Sequence, residues 1–410
     1  MDKRQQKGLV IAATSKIQKR GDTWVVPSQS LNGKYTVRMD TAGPRCTCPD
    51  FELRQQSCKH VFAVEFVLQR ETVTDPDGTT IVTETAAVRV TYTQDWPAYN
   101  AAQTTEKAQF CRLLRELVAG IPTPYPKTGR PPLPLSDRLF AAAFKVYSTV
   151  SARRFMTDLR EAQADGLIEH TPHFNSVLAV IESEDVTPIL HELITATSLP
   201  LREVETDFAV DSTGFGTGSF FRYYTAKYKH DQYNHDWLKC HAMVGVKTNI
   251  VTAVRITGRD DNDSPQFKPL VEQTAERFTI SEVSADKAYS SYANLELVES
   301  KGAVPFIPFK SYAVGHSKNS TWNRLFHYFA LNREEFGEHY HKRSNIETTF
   351  SMVKRVFGGS VRSKTPTAQE NEVLLKVICH NIRCLIHAIH ELGIEPMFPQ
   401  IGGMAARLSA

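Results

Sequence analysis

The chain has 410 residues, of which 41% are hydrophobic and 23% charged, and its formal net charge is +3. These values are typical of a soluble globular protein and argue against a disordered chain, and the length predicts two or three domains. No apolar run approaches the 18 residues of a membrane span, and the N-terminus lacks the apolar core of a signal peptide. We therefore expect a cytoplasmic protein.

The N-terminal region, residues 1–95, is predicted to be a small ββα module. Residues 24–26 and 34–39 are short strand-like runs, and Asn32-Gly33 lies in the turn between them. A Thr- and Val-rich stretch at 72–93 predicts a β-rich extension of the module. Residues 1–20 hold six Lys or Arg against one acid, a patch that fits a phosphate backbone, although one such patch is more often solvated surface.

Three of the seven cysteines are crowded between positions 46 and 58, which predicts metal binding in a reducing compartment rather than disulfides. Cys46-x-Cys48 on an extended stretch and Cys58-x-His60 at a helix start supply three thiolates and one imidazole. That is a closed tetrahedral set for one structural Zn²⁺ ion. The spacing, with its Cys-Pro-Asp-Phe and Cys-Lys-His contexts, resembles the SWIM zinc finger. Modules of this kind are associated with DNA or protein binding, and the residues do not separate the two.

The middle region, residues 96–200, has helical periodicity. Six prolines between positions 122 and 134 predict a linker at 121–135. Arg153 and Arg154 lie on a predicted helix that could belong to a helix-turn-helix contacting DNA ends. A simple packing domain is an equally favoured alternative.

Residues 201–395 show strands alternating with helices. The predicted order is three strands, helix, strand, helix, strand, helix, with Asp263 capping the first of these helices and Pro265 at its first position. This order predicts an α/β fold of the RNase H-like type, with a mixed five-stranded sheet flanked by helices. Asp211 on the first strand and Asp286 at the end of the fourth are then expected at adjacent strand ends.

Residues 340–354, YHKRSNIETTFSMVK, are predicted to form one α-helix. Tyr340, Arg343, Glu347 and Lys354 then share one stripe of that helix. A second, apolar stripe is expected to pack against the sheet, formed by Ile346, Phe350, Val353 and Phe357. A carboxylate among cations suits a metal ion that coordinates a phosphate, and a row of solvated pairs is the alternative.

Three acids that converge repel one another unless cations lie between them. Carboxylate oxygens favour Mg²⁺ or Mn²⁺. Two such ions about 4 Å apart can activate a nucleophile and stabilise the leaving oxygen of a phosphoryl transfer. Asp211, Asp286 and Glu347 are therefore the candidate catalytic acids and the candidate ligands of two Mg²⁺ (or Mn²⁺) ions.

The spacing Tyr340-x2-Arg343-x3-Glu347-x6-Lys354 matches the signature of a large group of DDE-type insertion-sequence transposases. Asp211-Ser-Thr-Gly and Asp286-Lys-Ala-Tyr look like the contexts of that group's other two acids. The chain thus resembles a DDE-type transposase that carries an N-terminal SWIM zinc finger.

This resemblance implies Mg²⁺-dependent cleavage of double-stranded DNA at transposon ends, followed by strand transfer into target DNA. It also implies a homodimer or higher oligomer on DNA, in a prokaryotic cytoplasm and at the nucleoid when bound. By the same resemblance, Tyr340, Arg343 and Lys354 would contact the DNA backbone near the scissile phosphate.

Two alternatives stay open on the residues alone. One is a structure-specific nuclease or resolvase on the same fold. The other is a catalytically silent DNA-binding regulator, which need not keep three clustered acids. Residues 371–393 predict a helix that covers the sheet, which explains Cys379, His380, Cys384 and His387 better than a metal site does. Residues 396–410 are predicted to be a tail.

Overall fold

The computed structural model describes residues 3–28, 33–40, 43–68, 71–74, 80–83, 95–123, 132–217, 236–316 and 318–399. The chain forms two compact units, residues 1–94 and 95–410.

In the first unit, the described residues include a four-stranded antiparallel sheet in the order β1-β2-β3-β4. The elements before the cysteine-rich loop are α1 (Lys3–Thr14), β1 (Gln18–Arg20), β2 (Thr23–Pro27), β3 (Lys34–Asp40) and β4 (Gly43–Cys46). After it come α2 (Pro49–Arg54), α3 (Lys59–Leu68), β5 (Glu71–Thr74) and β6 (Thr80–Thr83). The two predicted strands correspond to β2 and β3, and the sheet is larger than predicted because charged β1 and Gly-Pro-containing β4 carry no local strand signal.

The predicted extension at 72–93 is described only in part. β5 and β6 pair as an antiparallel hairpin. The remaining residues of that stretch lie outside the described ranges.

The middle region is helical, as predicted. Its helices in the described ranges are α4 (Trp96–Thr104), α5 (Glu106–Val118), α6 (Leu135–Ser148), α7 (Ala152–Ala164), α8 (Phe174–Ile181) and α9 (Val186–Ser198). Most of the predicted linker, residues 124–131, lies outside the described residues, and α6 begins at Leu135.

The predicted α/β fold class is confirmed by a mixed five-stranded sheet in the order β11-β10-β7-β8-β9. The strands are β7 (Asp207–Gly216), β8 (Trp237–Gly245), β9 (Val251–Thr257), β10 (Glu282–Ala285) and β11 (Val304–Phe306). β7, β8 and β9 pair antiparallel, whereas β10 runs parallel to both β7 and β11. α10 (Ser264–Ala275) follows β9, and α11 (Tyr292–Ser300) connects β10 to β11.

Alternate residues of β7 point to opposite faces of the sheet. Ala209 and Phe215 belong to one core and Phe208 and Val210 to another, so each face has its own hydrophobic cluster. The first core includes side chains of the middle helices, and the second includes side chains of α10 and α11. Asp211 has the same parity as Ala209 and therefore lies on the face of the first core.

The segment 340–354 is not one helix, which corrects the sequence-based prediction. α12 (Ser320–Leu331) and α13 (Arg333–Tyr340) come first, a 3₁₀ turn covers His341–Arg343, and α14 (Ser344–Phe357) follows. A 3₁₀ turn has three residues per turn instead of 3.6, yet Arg343 still contacts Glu347 four residues later. The predicted apolar stripe of α14 is confirmed, since Ile346, Phe350, Val353 and Phe357 are all buried.

The last described helix is α15 (Pro366–Leu392). By length and composition alone it could cross a membrane, but 78% of its most apolar window is buried inside the protein, as in a core helix. The predicted covering helix is present, and residues on all its sides are buried, including the polar Asn371, Lys376 and Asn381.

Candidate active site and metal centre

The four predicted zinc ligands lie together in the first unit. The ligand atoms of Cys46, Cys48, Cys58 and His60 are all within 4.8 Å of one another, and all four side chains are buried. His60 Nδ1 lies 3.9 Å from Cys46 Sγ and 3.8 Å from Cys58 Sγ. In a tetrahedral site with ordinary zinc bond lengths, a sulfur and a nitrogen ligand are about 3.6 Å apart. The donor set and its spacing therefore fit one Zn²⁺ ion.

The protonation of these thiols agrees with a cation site. A hydrogen bond with Cys58 raises the pKa of Cys46, and the same contact lowers the pKa of Cys58 to about 3. Zinc binds thiolates, so binding of the ion would displace the protons that these thiols hold.

The two predicted aspartates follow matched positions of two parallel strands. The last register pair of β7 and β10 is Val210 with Ala285, and Asp211 and Asp286 come one residue later on each chain. Neighbouring strands are about 4.8 Å apart, so the two carboxylates start from adjacent points on the face that α14 covers. Asp286 also begins the 3₁₀ turn Lys287–Tyr289, where its side chain accepts from the Lys287 amide.

Glu347 reaches the same region from the first turn of α14, through Arg343. The Arg343 guanidinium donates to Asp211 Oδ2 at 2.7 Å and to Glu347 Oε1 at 2.5 Å. The side chains of Arg343 and Asp211 are 20% and 22% exposed, whereas that of Glu347 is 58% exposed. The structure therefore places a cation between two of the predicted acids.

Asp211 lies in an environment that disfavours its charged form. Burial raises its pKa first, and the negative charges of Asp286 and Glu347 raise it further, against the opposing effects of the Ser212 amide and Arg343. The negative charges of Asp286 and Glu347 therefore both act on Asp211. Oxygen donors that repel one another suit a hard divalent cation. In the described ranges, however, the zinc ligands are the one group of three or more such side chains already close enough to hold an ion.

A second pair of acids, which we did not predict, lies on the same face. Asp207 and Glu282 are register partners at the starts of β7 and β10. Lys342 Nζ donates to both carboxylates, at 2.7 Å each. Asp207 precedes Asp211 by four residues, and Glu282 precedes Asp286 by four. This matched spacing indicates the pair once the parallel register of β7 and β10 is known.

The far end of α14 is also fixed to the sheet. Gly358 ends the helix with a φ of 84°, which glycine adopts without strain. The next residues hydrogen-bond to the end of β7, Gly216 N to Gly359 O and Val361 N to Gly216 O. The Lys376 ammonium on α15 donates to the carbonyls of Gly358 and Ser360. Both ends of the helix that carries Glu347 are therefore positioned by contacts to β7.

The other residues predicted to contact DNA are Lys354, Tyr340, Arg153 and Arg154. Lys354 Nζ donates to Thr213 Oγ1 at 2.6 Å, and burial lowers its pKa. The ring of Tyr340 lies 5.9 Å from the Arg343 guanidinium. Arg153 and Arg154 are exposed in the first turn of α7, where the Arg153 guanidinium lies 5.2 Å from the Phe174 ring.

One buried phenol near the acids is Tyr289, which the sequence offered only as part of the Asp286-Lys-Ala-Tyr context. Its side chain is 1% exposed. Burial raises its pKa first, and the charge of Asp211 raises it further. The sequence motif contains this residue, but its proximity to Asp211 depends on packing that the motif does not show.

Comparisons with known proteins match the two segments of the chain that carry these residues. The model of the family described as "Transposase DDE domain" matches residues 202–382, and that of the SWIM zinc finger matches residues 35–69. A protein of Archaeoglobus fulgidus, described as a probable transposase for insertion sequence element ISA1214, is 26% identical over 212 residues. The match covers 51% of this chain and 62% of that relative's length. No solved structure matches.

The resemblance seen in the sequence is therefore confirmed. Residues 35–69 are similar to the SWIM zinc finger, and residues 202–382 are similar to the transposase DDE domain.

Proposed function

We propose that this protein is a DNA transposase that cuts double-stranded DNA at the ends of a mobile element and joins those ends to target DNA. One observation carries the proposal. Asp211 and Asp286 follow matched positions of parallel strands, and Glu347 is joined to Asp211 through Arg343, all within the segment that the DDE domain matches. The name of the archaeal relative supports a mobile element as the substrate.

In this proposal, Asp211, Asp286 and Glu347 hold two Mg²⁺ (or Mn²⁺) ions. When bound, such ions supply a nucleophile at neutral pH and stabilise the leaving oxygen of a phosphoryl transfer. Burial first, and then the charges of Asp286 and Glu347, raise the pKa of Asp211, and a bound cation would favour its charged form again. The chain's own contribution is to hold three carboxylates at one sheet edge by fixing both ends of α14.

Arg343, Lys354 and Tyr340 contact the DNA backbone in this proposal. Arg343 has a planar guanidinium, which pairs with a phosphate as readily as with a carboxylate. Ions bound by the acids would leave this side chain free to do so. Lys354 is half-buried beside Thr213, so its ammonium has little water to lose on meeting a phosphate.

The helical region would bind the DNA ends. α6 and α7 are joined by the three residues 149–151, a connection of the length found in helix-turn-helix motifs. Arg153 and Arg154 stand in the first turn of the second helix, the part that contacts DNA in such motifs. The first unit adds one structural Zn²⁺. We further propose a homodimer or higher oligomer on DNA, in a prokaryotic cytoplasm at the nucleoid.

The proposal is tested by replacing one acid without changing its size. Glu347→Gln should abolish Mg²⁺-dependent cleavage of the element's end DNA while leaving binding of that DNA largely intact. Glu334→Gln, an exposed acid on α13, is the matched control and should cleave normally. Cleavage by Glu347→Gln at the wild-type rate would falsify the proposal.

A further inference from the structure

The four-stranded sheet of the first unit has one covered face and one exposed face. Val26, Val37 and Cys46 point inward and pack with Val61 and Val64 of α3. The alternate residues of each strand point to the opposite, solvent-facing side. Several basic side chains lie on that exposed side.

Three arginines form one row across the exposed face. In the strand register, Arg20 pairs with Thr23, Thr23 with Arg38, and Arg38 with Arg45. All three arginines are exposed. Three strand spacings separate the ends of the row, so the Cα atoms of Arg20 and Arg45 are about 14 Å apart.

By itself, this row of like charges lowers the stability of the sheet. Like charges directly opposite each other on neighbouring strands destabilise a sheet, and Arg38 and Arg45 are such a pair. Asp40 offsets part of the repulsion through a 2.9 Å contact with Arg38. Lys34 adds another exposed cation on the same face. A local arrangement of charges that lowers stability is typical of a functional surface.

We propose that this face, which we call the arginine row, binds the phosphate backbone of double-stranded DNA. Exposed Gln18, Thr36 and Thr47 surround it with hydrogen-bonding groups, which also suit phosphate oxygens. A protein partner would favour aromatic and apolar anchors at the centre of its interface. The residues that cross this face are instead three arginines and Thr23. The zinc site, on the covered side, holds β4 and α3 together and so keeps the row in place.

The inference rests on the proposed function only in its choice of DNA as the ligand. It assigns sequence-independent backbone binding to the first unit, whereas cutting belongs to the acids of the second. Binding can therefore be measured without added Mg²⁺, so that a failure of cleavage does not affect the result.

The test uses the full chain and a fluorescent DNA duplex that lacks terminal repeats. Arg20→Gln with Arg45→Gln removes two cations of the arginine row. Lys7→Gln with Arg54→Gln removes two exposed cations from α1 and α2. Affinity is measured by anisotropy over a range of salt concentrations. The slope of log K against log salt concentration is negative, and each lost phosphate contact reduces its magnitude by about 0.9. The magnitude should therefore fall by about 2 in the Arg20/Arg45 variant and stay almost unchanged in the control variant.

Equal affinities for the row variant and the wild type, or equal losses in both double variants, would overturn the proposal. Zinc content and thermal unfolding verify that each variant is folded. If the row variant does not fold, the wild type still decides the question. Bound DNA should protect Arg20 and Arg45, but not Arg54, from an arginine-modifying reagent read out by mass spectrometry. Absence of that selective protection would equally contradict DNA binding by this face.

Discussion

Arg343 bridges Asp211 and Glu347, with nitrogen–oxygen distances of 2.7 and 2.5 Å. The preceding residue, Lys342, bridges Asp207 and Glu282. Two consecutive cations of one 3₁₀ turn therefore contact two acids of β7, Asp207 and Asp211, which lie four residues apart. The Arg343 contacts belong to the candidate catalytic site. The Lys342 contacts fix the segment that enters α14.

Arg343 and a divalent ion compete for the same carboxylates. Arg343→Gln should therefore bind Mn²⁺ more tightly than the wild type in the absence of DNA. A charge-assisted hydrogen bond contributes about 1.5–3 kcal/mol, so the dissociation constant should fall by roughly ten- to a hundredfold. Calorimetric titration measures this directly. Lys342→Gln, which removes the neighbouring cation, is the control and should leave the constant nearly unchanged. Weaker Mn²⁺ binding by Arg343→Gln would show that the arginine supports the metal site instead.

The pKa of Asp211 predicts a pH-dependent stability difference. A carboxyl whose folded-state pKa is raised stabilises the fold when protonated, and this contribution is lost as the pH rises through that pKa. Asp211→Asn lacks the charge, so it should be more stable than the wild type at pH 7. The advantage should disappear near pH 4, where the carboxyl of the unfolded chain also becomes protonated. Urea unfolding at both pH values measures the difference, and lower stability of Asp211→Asn at pH 7 would contradict the account.

The apolar stripe of α14 positions Glu347. Phe350→Ala leaves a cavity in the core and should cost about 3–5 kcal/mol in the free energy of unfolding. Thr348→Ala, on the exposed side of the same helix, should change it by less than about 0.5 kcal/mol. Denaturant unfolding checks both values. A small effect of Phe350→Ala would mean that the end contacts alone hold the helix.

Zinc is expected to be structural. Cys58→Ser, or a chelator, should release Zn²⁺ and unfold residues 23–70, because metal binding supplies folding free energy to such modules. Hydrogen exchange would show this as lost protection confined to the first unit. Cys111→Ser changes a buried thiol of the second unit and should retain zinc. Unchanged protection in metal-free protein would refute a structural role.

Local sequence pattern predicted the features that depend on neighbouring residues. The period of α14 predicted its buried stripe, and the alternation of strands and helices predicted the sheet on which Asp211 and Asp286 lie. The break at His341–Arg343 has no local signal, since no glycine or proline marks it; Lys342 and Arg343 make long-range ion pairs there. The pairing of Asp207 with Glu282 likewise depends on the parallel register of two strands, which local sequence does not predict. The strand that ends at Arg20 carries charged residues instead of β-formers, so its place in the sheet was not predictable.

Strand transfer tests the central claim most directly. Element-end DNA that is already cut is mixed with a target plasmid, Mg²⁺ and either the wild type or one of Asp211→Asn, Asp286→Asn and Glu347→Gln. We expect the wild type to join the ends to the plasmid and each of the three variants to lose joining while still binding the ends. Hydrolysis without joining by the wild type, or joining at the wild-type level by any of the variants, would contradict a transposase that uses these three acids.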